Sequence, residues 1–350
     1  MTAPPVAPSD AAAAADSAPL PEPRGPLGEA VRSLLASGGP AAGPRSPVTR
    51  PPVDGADPYG DDLQLALYTC YELHYQGFRG VDPGWEWDPE LLGLRRELEH
   101  RFLDALRGDV PPGDDVRAEL EELLTEPVNV GGVAGHLLTE GHWWQMREYL
   151  THRSVYHLKE ADPHAWVIPR LDGRAKAALV AVEFDEFGGG RAERAHSRLY
   201  ADLLREAGLD ASYLGHLDAV PAPALALVNL MSLFGLHRAL RGALVGHFAA
   251  AEISTAPAAR TMARALERMD APAACVHFYT EHIEADAVHE QVMRHDVIGD
   301  LLERQPGLAP DVVFGIRATE FLEARLAERL MTAWRAGRSS LLRPLTGPAG

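Results

Sequence analysis

From Asp61 onward the chain repeats its apolar positions at helical spacing. Leu63, Leu67 and Tyr71 lie four residues apart and carry one stripe to Leu73 and His74, and Leu91, Leu94, Leu98, Phe102 and Leu106 make a second. The same periodicity predicts helices over about 114–126, 142–161, 170–187, 191–207, 223–250, 257–295 with a break near Pro272, and 309–336. Turn signals separate them at 109–113, Asp162-Pro163, Gly188-Gly189-Gly190, Gly208 and Pro306-Gly307. No alternating pattern long enough for a strand intervenes, and no segment recurs at a fixed period. The expected fold class is therefore all-α, with one helical domain over 58–340. Residues 1–57 are dominated by Pro, Ala, Gly and Ser, with apolar clusters only near Leu27 to Leu35, and read as a disordered tail. Residues 341–350 read as a flexible C-terminus.

Composition narrows the function classes. The 350 residues hold 50 acidic against 33 basic side chains, a net charge of -17 that repels nucleic-acid phosphates and anionic membrane surfaces. Neither nucleic acid nor a membrane is an expected partner. The longest uncharged stretch, Ala219 to Leu236, is interrupted by Pro221, Pro223, Asn229 and Ser232, and fits a buried helix better than a span. Cys70 and Cys275 are the two cysteines, far apart and outside any CxxC, so they build neither a disulfide framework nor a thiolate zinc site. With no export signal at the start, the expected compartment is the cytoplasm. The 15 histidines turn attention to imidazole and carboxylate metal sites.

Three clusters carry that chemistry. In His282-Ile-Glu-Ala-Asp286-Ala-Val-His289, positions i, i+4 and i+7 share one helix face over two turns, about 10 Å. Two imidazoles and a carboxylate so placed suit iron, manganese or zinc, or two ions ~3.5 to 4 Å apart; the plainer reading is a solvated polar face. In the second cluster, Glu183, Asp185 and Glu186 close an apolar helix, where negative charge opposes the macrodipole and needs compensation. His196 follows ten residues after Glu186, ~15 Å along an unbroken helix, so the three glycines must redirect the chain if both hold one ion. Glu193 with His196, at Glu-x-x-His spacing, is the competing assignment. Glu160, just before Pro163, is the third candidate carboxylate, and Glu148 with His152 is its rival.

Taken in order, Glu160, then Glu186 in Asp-Glu-Phe-Gly-Gly-Gly-Arg, then His196 in Ala-His-Ser-Arg-Leu, then His282, Asp286 and His289 resemble the heme-oxygenase-like diiron oxidases and oxygenases, often described as iron-containing redox enzymes. The resemblance covers roughly residues 140 to 300. It implies a heme-oxygenase-like helical bundle in which these six side chains bind two iron ions that activate O2. The reactions it implies are N-oxygenation, desaturation or carbon-carbon cleavage of a small molecule, such as an amino-acid or amine metabolite. Nothing in the sequence marks a heme ligand, so a shared scaffold does not imply heme degradation. An external electron donor and a homodimer are compatible with this reading. The alternatives are a hydrolase or cofactor-independent enzyme on the same scaffold, and a noncatalytic iron-binding protein.

Overall fold

Helices make up all the regular structure among the described residues of the computed structural model, which are 17–40, 51–125 and 131–345, the side chains of 284–287 excepted. The contacts divide the chain into two units between Phe102 and Leu103, inside the long helix Pro89–Asp109, where the sequence pattern suggests one domain over 58–340.

In the first unit, helix α1 (Pro26–Ala36) occupies part of the expected disordered tail. Leu27, Val31, Leu34 and Leu35 form a buried stripe against α2 (Asp61–Glu72), and Pro26 sits at the helix start, where its missing N–H costs nothing. The cap comes from across the unit. The Asp62 carboxylate accepts hydrogen bonds from the N–H groups of Leu27 (2.9 Å) and Gly28 (2.8 Å), placing negative charge at the positive end of the macrodipole. That partner lies too far along the chain for local composition to reveal it. The other parts of the expected tail, 1–16 and 41–50, lie outside the described residues. Helix α3 (Pro89–Asp109) then leads into the second unit.

That unit contains α4 (Val116–Leu123), α5 (Gly132–Thr139), α6 (Trp143–His157), the single turn α7 (Asp162–Ala165), α8 (Gly173–Glu186), α9 (His196–Glu206), α10 (Ala222–Leu236), α11 (Arg241–Arg268), α12 (Ala273–Gln291), α13 (Gly299–Arg304) and α14 (Ala309–Arg335). A π-helical segment, Val292–Ile298, joins α12 to α13. The helix expected over 223–250 instead breaks after Leu236, and Ala222–Leu236 meets the run Arg238–Arg268 at 106°. Arg170 Nη2 donates to the Leu236 carbonyl (2.9 Å), satisfying the end of α10 from a distant loop. The sequence pattern also separates 223–250 from 257–295, but α11 runs straight through Pro257. Burial of Ile253, Ala256 and Ala259 around it offsets the ~3 kcal/mol an interior proline costs. No single helix among the described residues is long and apolar enough to cross a membrane.

α11 is the central element, packed along both α12 and α14. Where it crosses α14, side chains are absent from both partners. A Cβ on Gly246 would stand 2.0 Å from the Val312 carbonyl oxygen, and one on Gly315 2.0 Å from that of Ala243, so the two backbones touch directly. The expected flexible C-terminus is also tied down in part: Leu341 is buried and the Leu342 N–H donates to the Ala219 carbonyl (2.8 Å).

Candidate metal centre

Five of the six sequence-predicted ligands converge inside the second unit. Glu160 lies in the turn after α6, His196 opens α9, and His282 sits two turns before His289 on α12. Glu160, His196 and His282 form one buried group whose ligand atoms lie within 4.8 Å of one another. Glu186, Glu252 and His289 form a second of the same size. The sixth residue, Asp286, is on α12, and its side chain lies outside the described ones.

Gly188, Gly189 and Gly190 supply the redirection that the spacing of Glu186 and His196 requires. All three have positive φ (76°, 63° and 80°), and a Cβ on Gly188 would lie 2.5 Å from the Ala195 nitrogen, so glycine alone fits the turn. Their effect is to bring Glu186 Oε2 to 2.7 Å from His196 Nδ1, the contact that joins the two groups.

Neighbouring polar groups orient the ligands. His282 Nδ1 donates to the Phe278 carbonyl (2.7 Å), which fixes the tautomer and leaves Nε2 as the lone-pair nitrogen, 3.9 Å from Glu160 Oε1. Burial alone would raise the pKa of Glu160, but His157, 2.8 Å away, and His282 outweigh it and hold the carboxyl well below its usual range. The second group is more negative. Burial and the neighbouring Glu186 push Glu252 up against the opposing pull of His289. Burial disfavours a charged His289, yet contacts with Glu252 (3.0 Å), Glu186 (3.5 Å) and Asp185 (3.3 Å) prevail and raise it to about 9. A protonated imidazole thus stands among the carboxylates where a metal cation would displace a proton.

Glu252 is the residue that the sequence reading missed. It is a lone charge in Ala249-Ala250-Ala251-Glu252-Ile253, a run otherwise fit for the core, and an acidic residue in such a run calls for a buried partner. The rival carboxylates are elsewhere. Glu193 is exposed. Glu148 Oε2 accepts hydrogen bonds from Trp334 Nε1 (2.9 Å), Ser340 N (2.9 Å) and Ser340 Oγ (2.7 Å), tying α6 to the C-terminal segment. Burial lowers His152 to about 3, so it is a neutral partner of Ser340 Oγ.

The donor set fits iron. Carboxylates and imidazoles in near-equal number give a mixed oxygen and nitrogen environment of intermediate softness, and the excess of buried negative charge calls for cations. Glu160, Glu186, Glu252 and His282 also line a cavity of about 340 Å³, within the range of small-molecule sites. Met231 and Met262 give its wall an apolar part. On the same wall, Arg153 and Glu323 pair through two parallel 2.6 Å hydrogen bonds.

The nitrosourea synthase of Streptomyces achromogenes subsp. streptozoticus is 27% identical to this chain over 160 residues, which cover 45% of the chain and 34% of that enzyme. The chain thus spans about a third of the length of this curated relative. The model of the family described as iron-containing redox enzyme matches residues 147–324, just over half of the chain, and includes every described member of both groups. Its fold is the all-helical heme-oxygenase-like one, and the chain belongs to the iron-containing redox enzyme family.

Proposed function

We propose that the protein is a non-heme diiron oxidase or oxygenase that uses O2 to oxidise a small molecule held in the cavity. The observation that carries this reading is the pair of buried ligand groups, joined by the Glu186–His196 contact and opening on one cavity. Glu160, His196 and His282 would hold one iron, and Glu186, Glu252 and His289 the other, with Asp286 as a further ligand from α12. Two irons so held supply the electrons and the Lewis acidity that O2 activation needs.

The chain's own residues do the rest. The backbone contact between α11 and α14 sets the depth of Glu252, and the glycine turn sets the approach of Glu186 to His196. The apolar part of the cavity wall limits water at the reacting centre. His164 and His247, on the cavity wall, are neutral because burial lowers both, His247 to about 4, so neither is charged near the substrate. The relative's name states that it makes a nitrosourea; this favours N-oxygenation among the outcomes, beside desaturation and carbon-carbon cleavage, and an amino-acid or amine metabolite as substrate. Electrons beyond those of the substrate would come from an external donor. The two free, buried cysteines are in keeping with the cytoplasm.

Hydrolysis is less well supported. The cavity hydroxyls of Ser254 and Thr255 donate to the helix carbonyls of Ala250 and Ala251 (2.7 Å each), and that of Thr319, though 2.8 Å from His247 Nδ1, donates its proton to the Gly315 carbonyl (2.7 Å) and so gives the imidazole none to take. Simple iron storage would need no cavity beside the ligands. The test is anaerobic loading with iron(II) followed by metal analysis and oxygen-electrode measurements. Two irons per chain and O2 uptake that quickens with substrate are expected, and His196→Ala should lose iron while keeping its helical content. A wild-type chain that takes up no iron overturns the proposal.

A further inference from the structure

Helix α8 turns Ala175, Leu179, Val182, Glu183 and Glu186 inward. The first three are core residues, and Glu186 belongs to the second ligand group. Glu183 is the residue left over. It is 2% exposed, and neither carboxylate oxygen has a hydrogen-bond partner among the described residues.

Among the described side chains, the charged groups acting on Glu183 all have the same sign as its own carboxylate. Glu186 is one turn along the same helix, Glu252 reaches in from α11, and Asp162 from α7. Glu183 also lies in the last turn of α8, where the macrodipole opposes negative charge. Burial, followed by these three acids, raises it to about 9. A carboxyl so placed contributes nothing to the fold that a leucine of similar size would not, and it carries a desolvation penalty besides. The metal-free chain meets that penalty by keeping the carboxyl protonated, and a bound cation would offset it by displacing the proton. Positions i and i+3 on a helix put the Cβ atoms of Glu183 and Glu186 roughly 5–6 Å apart, and three rotatable bonds let the Glu183 carboxylate reach an ion bound by Glu186.

We propose that Glu183 is a further carboxylate ligand of the metal ion held by Glu186, Glu252 and His289, turning onto that ion when the site fills. This rests on the diiron reading and deepens it. The two ions then have unequal surroundings. One is held by a carboxylate and two imidazoles, the other by three carboxylates and one imidazole among the described side chains. Removing Glu183 should therefore weaken one ion and spare the other.

The experiment titrates chelator-treated protein with iron(II) under anaerobic conditions, and separately with manganese(II) followed by electron paramagnetic resonance. Wild type, Glu183→Gln and Glu183→Leu are compared, with the melting temperature of each metal-free protein as a second readout. Wild type should bind two ions. Both variants should keep one at wild-type affinity and bind the other at least tenfold more weakly. Metal-free Glu183→Leu should melt at or above wild type, because it removes an unpartnered buried acid. Variants that bind both ions as wild type does overturn the assignment. Should the leucine variant melt early, the isosteric glutamine decides alone. A wild-type chain that binds no ion or one defeats the diiron reading instead.

Discussion

Relative to Glu183→Gln, the metal-free wild-type protein should lose stability as pH rises from 6 to 8. Glu183 is raised from 4.5 to about 9 in the folded chain, so over that window the folded state keeps a proton that the unfolded chain has released. This group alone lowers stability with increasing pH, by up to ~1.4 kcal/mol per unit for one proton, or about 3 kcal/mol across the two units. His289, raised from 6.5 to about 9, adds to the fall above pH 6.5, since its stabilising proton is lost as pH climbs through the folded value. The groups facing these two are Glu186, Glu252, Asp162 and Asp185, all acidic, and the set titrates as a unit. Glu160 has the opposite sign, but its contribution is lost only below the ordinary carboxylate range, outside this window. His152, His164, His247, His74 and His216, all lowered by burial, oppose the fall up to about pH 7, because the unfolded chain takes up their protons there. Urea denaturation in the presence of chelator at pH 6, 7 and 8 measures the slope, and Glu183→Gln should make it more positive than in wild type by up to one proton. Metal binding displaces the same protons, so iron affinity should rise over this range. A wild type and a Glu183→Gln variant whose metal-free stabilities depend on pH identically would refute the electrostatic account of the cluster.

Glu148→Ala should cost on the order of 2–4 kcal/mol, because three donors on Trp334 and Ser340 lose their charged acceptor, while iron stoichiometry stays at the wild-type value. Iron lost in proportion to stability would return Glu148 to the ligand set. Gly315→Ala places a methyl group 2.0 Å from the Ala243 carbonyl oxygen and forces α11 away from α14. It should destabilise the protein by ~2 kcal/mol or more and loosen the ion at Glu252, as read by urea denaturation and iron titration. A neutral effect on both would show that the crossing yields easily.

Much of the candidate centre was legible because its side chains sit at helical intervals or beside marked turns. His282 and His289 are two turns apart, and the run of three glycines announces the turn that brings Glu186 to His196. Acidic residues crowding the end of α8 already signalled charge in need of compensation. What stayed hidden depends on partners remote in sequence. Glu252 is one acid in an alanine-rich run, and nothing nearby says that α11 brings it to His289 on α12. The α1 helix escaped notice because its cap, Asp62, belongs to another helix, and composition weighs only what surrounds a residue in the chain. The break after Leu236 likewise depends on Arg170, and the unbroken passage through Pro257 on packing.

The cavity beside the ligands sets an upper bound on cargo. Its volume of about 340 Å³ equals the share of liquid occupied by roughly eleven water molecules, at about 30 Å³ each. The part of any substrate that reaches the ligand groups must fit that allowance, which admits a free metabolite or one arm of a larger one. Filling it expels about that many waters from a partly apolar chamber, so a well-fitted substrate should bind with a negative heat-capacity change, a calorimetric fingerprint that separates true occupants from ions or buffer molecules that only skim the rim.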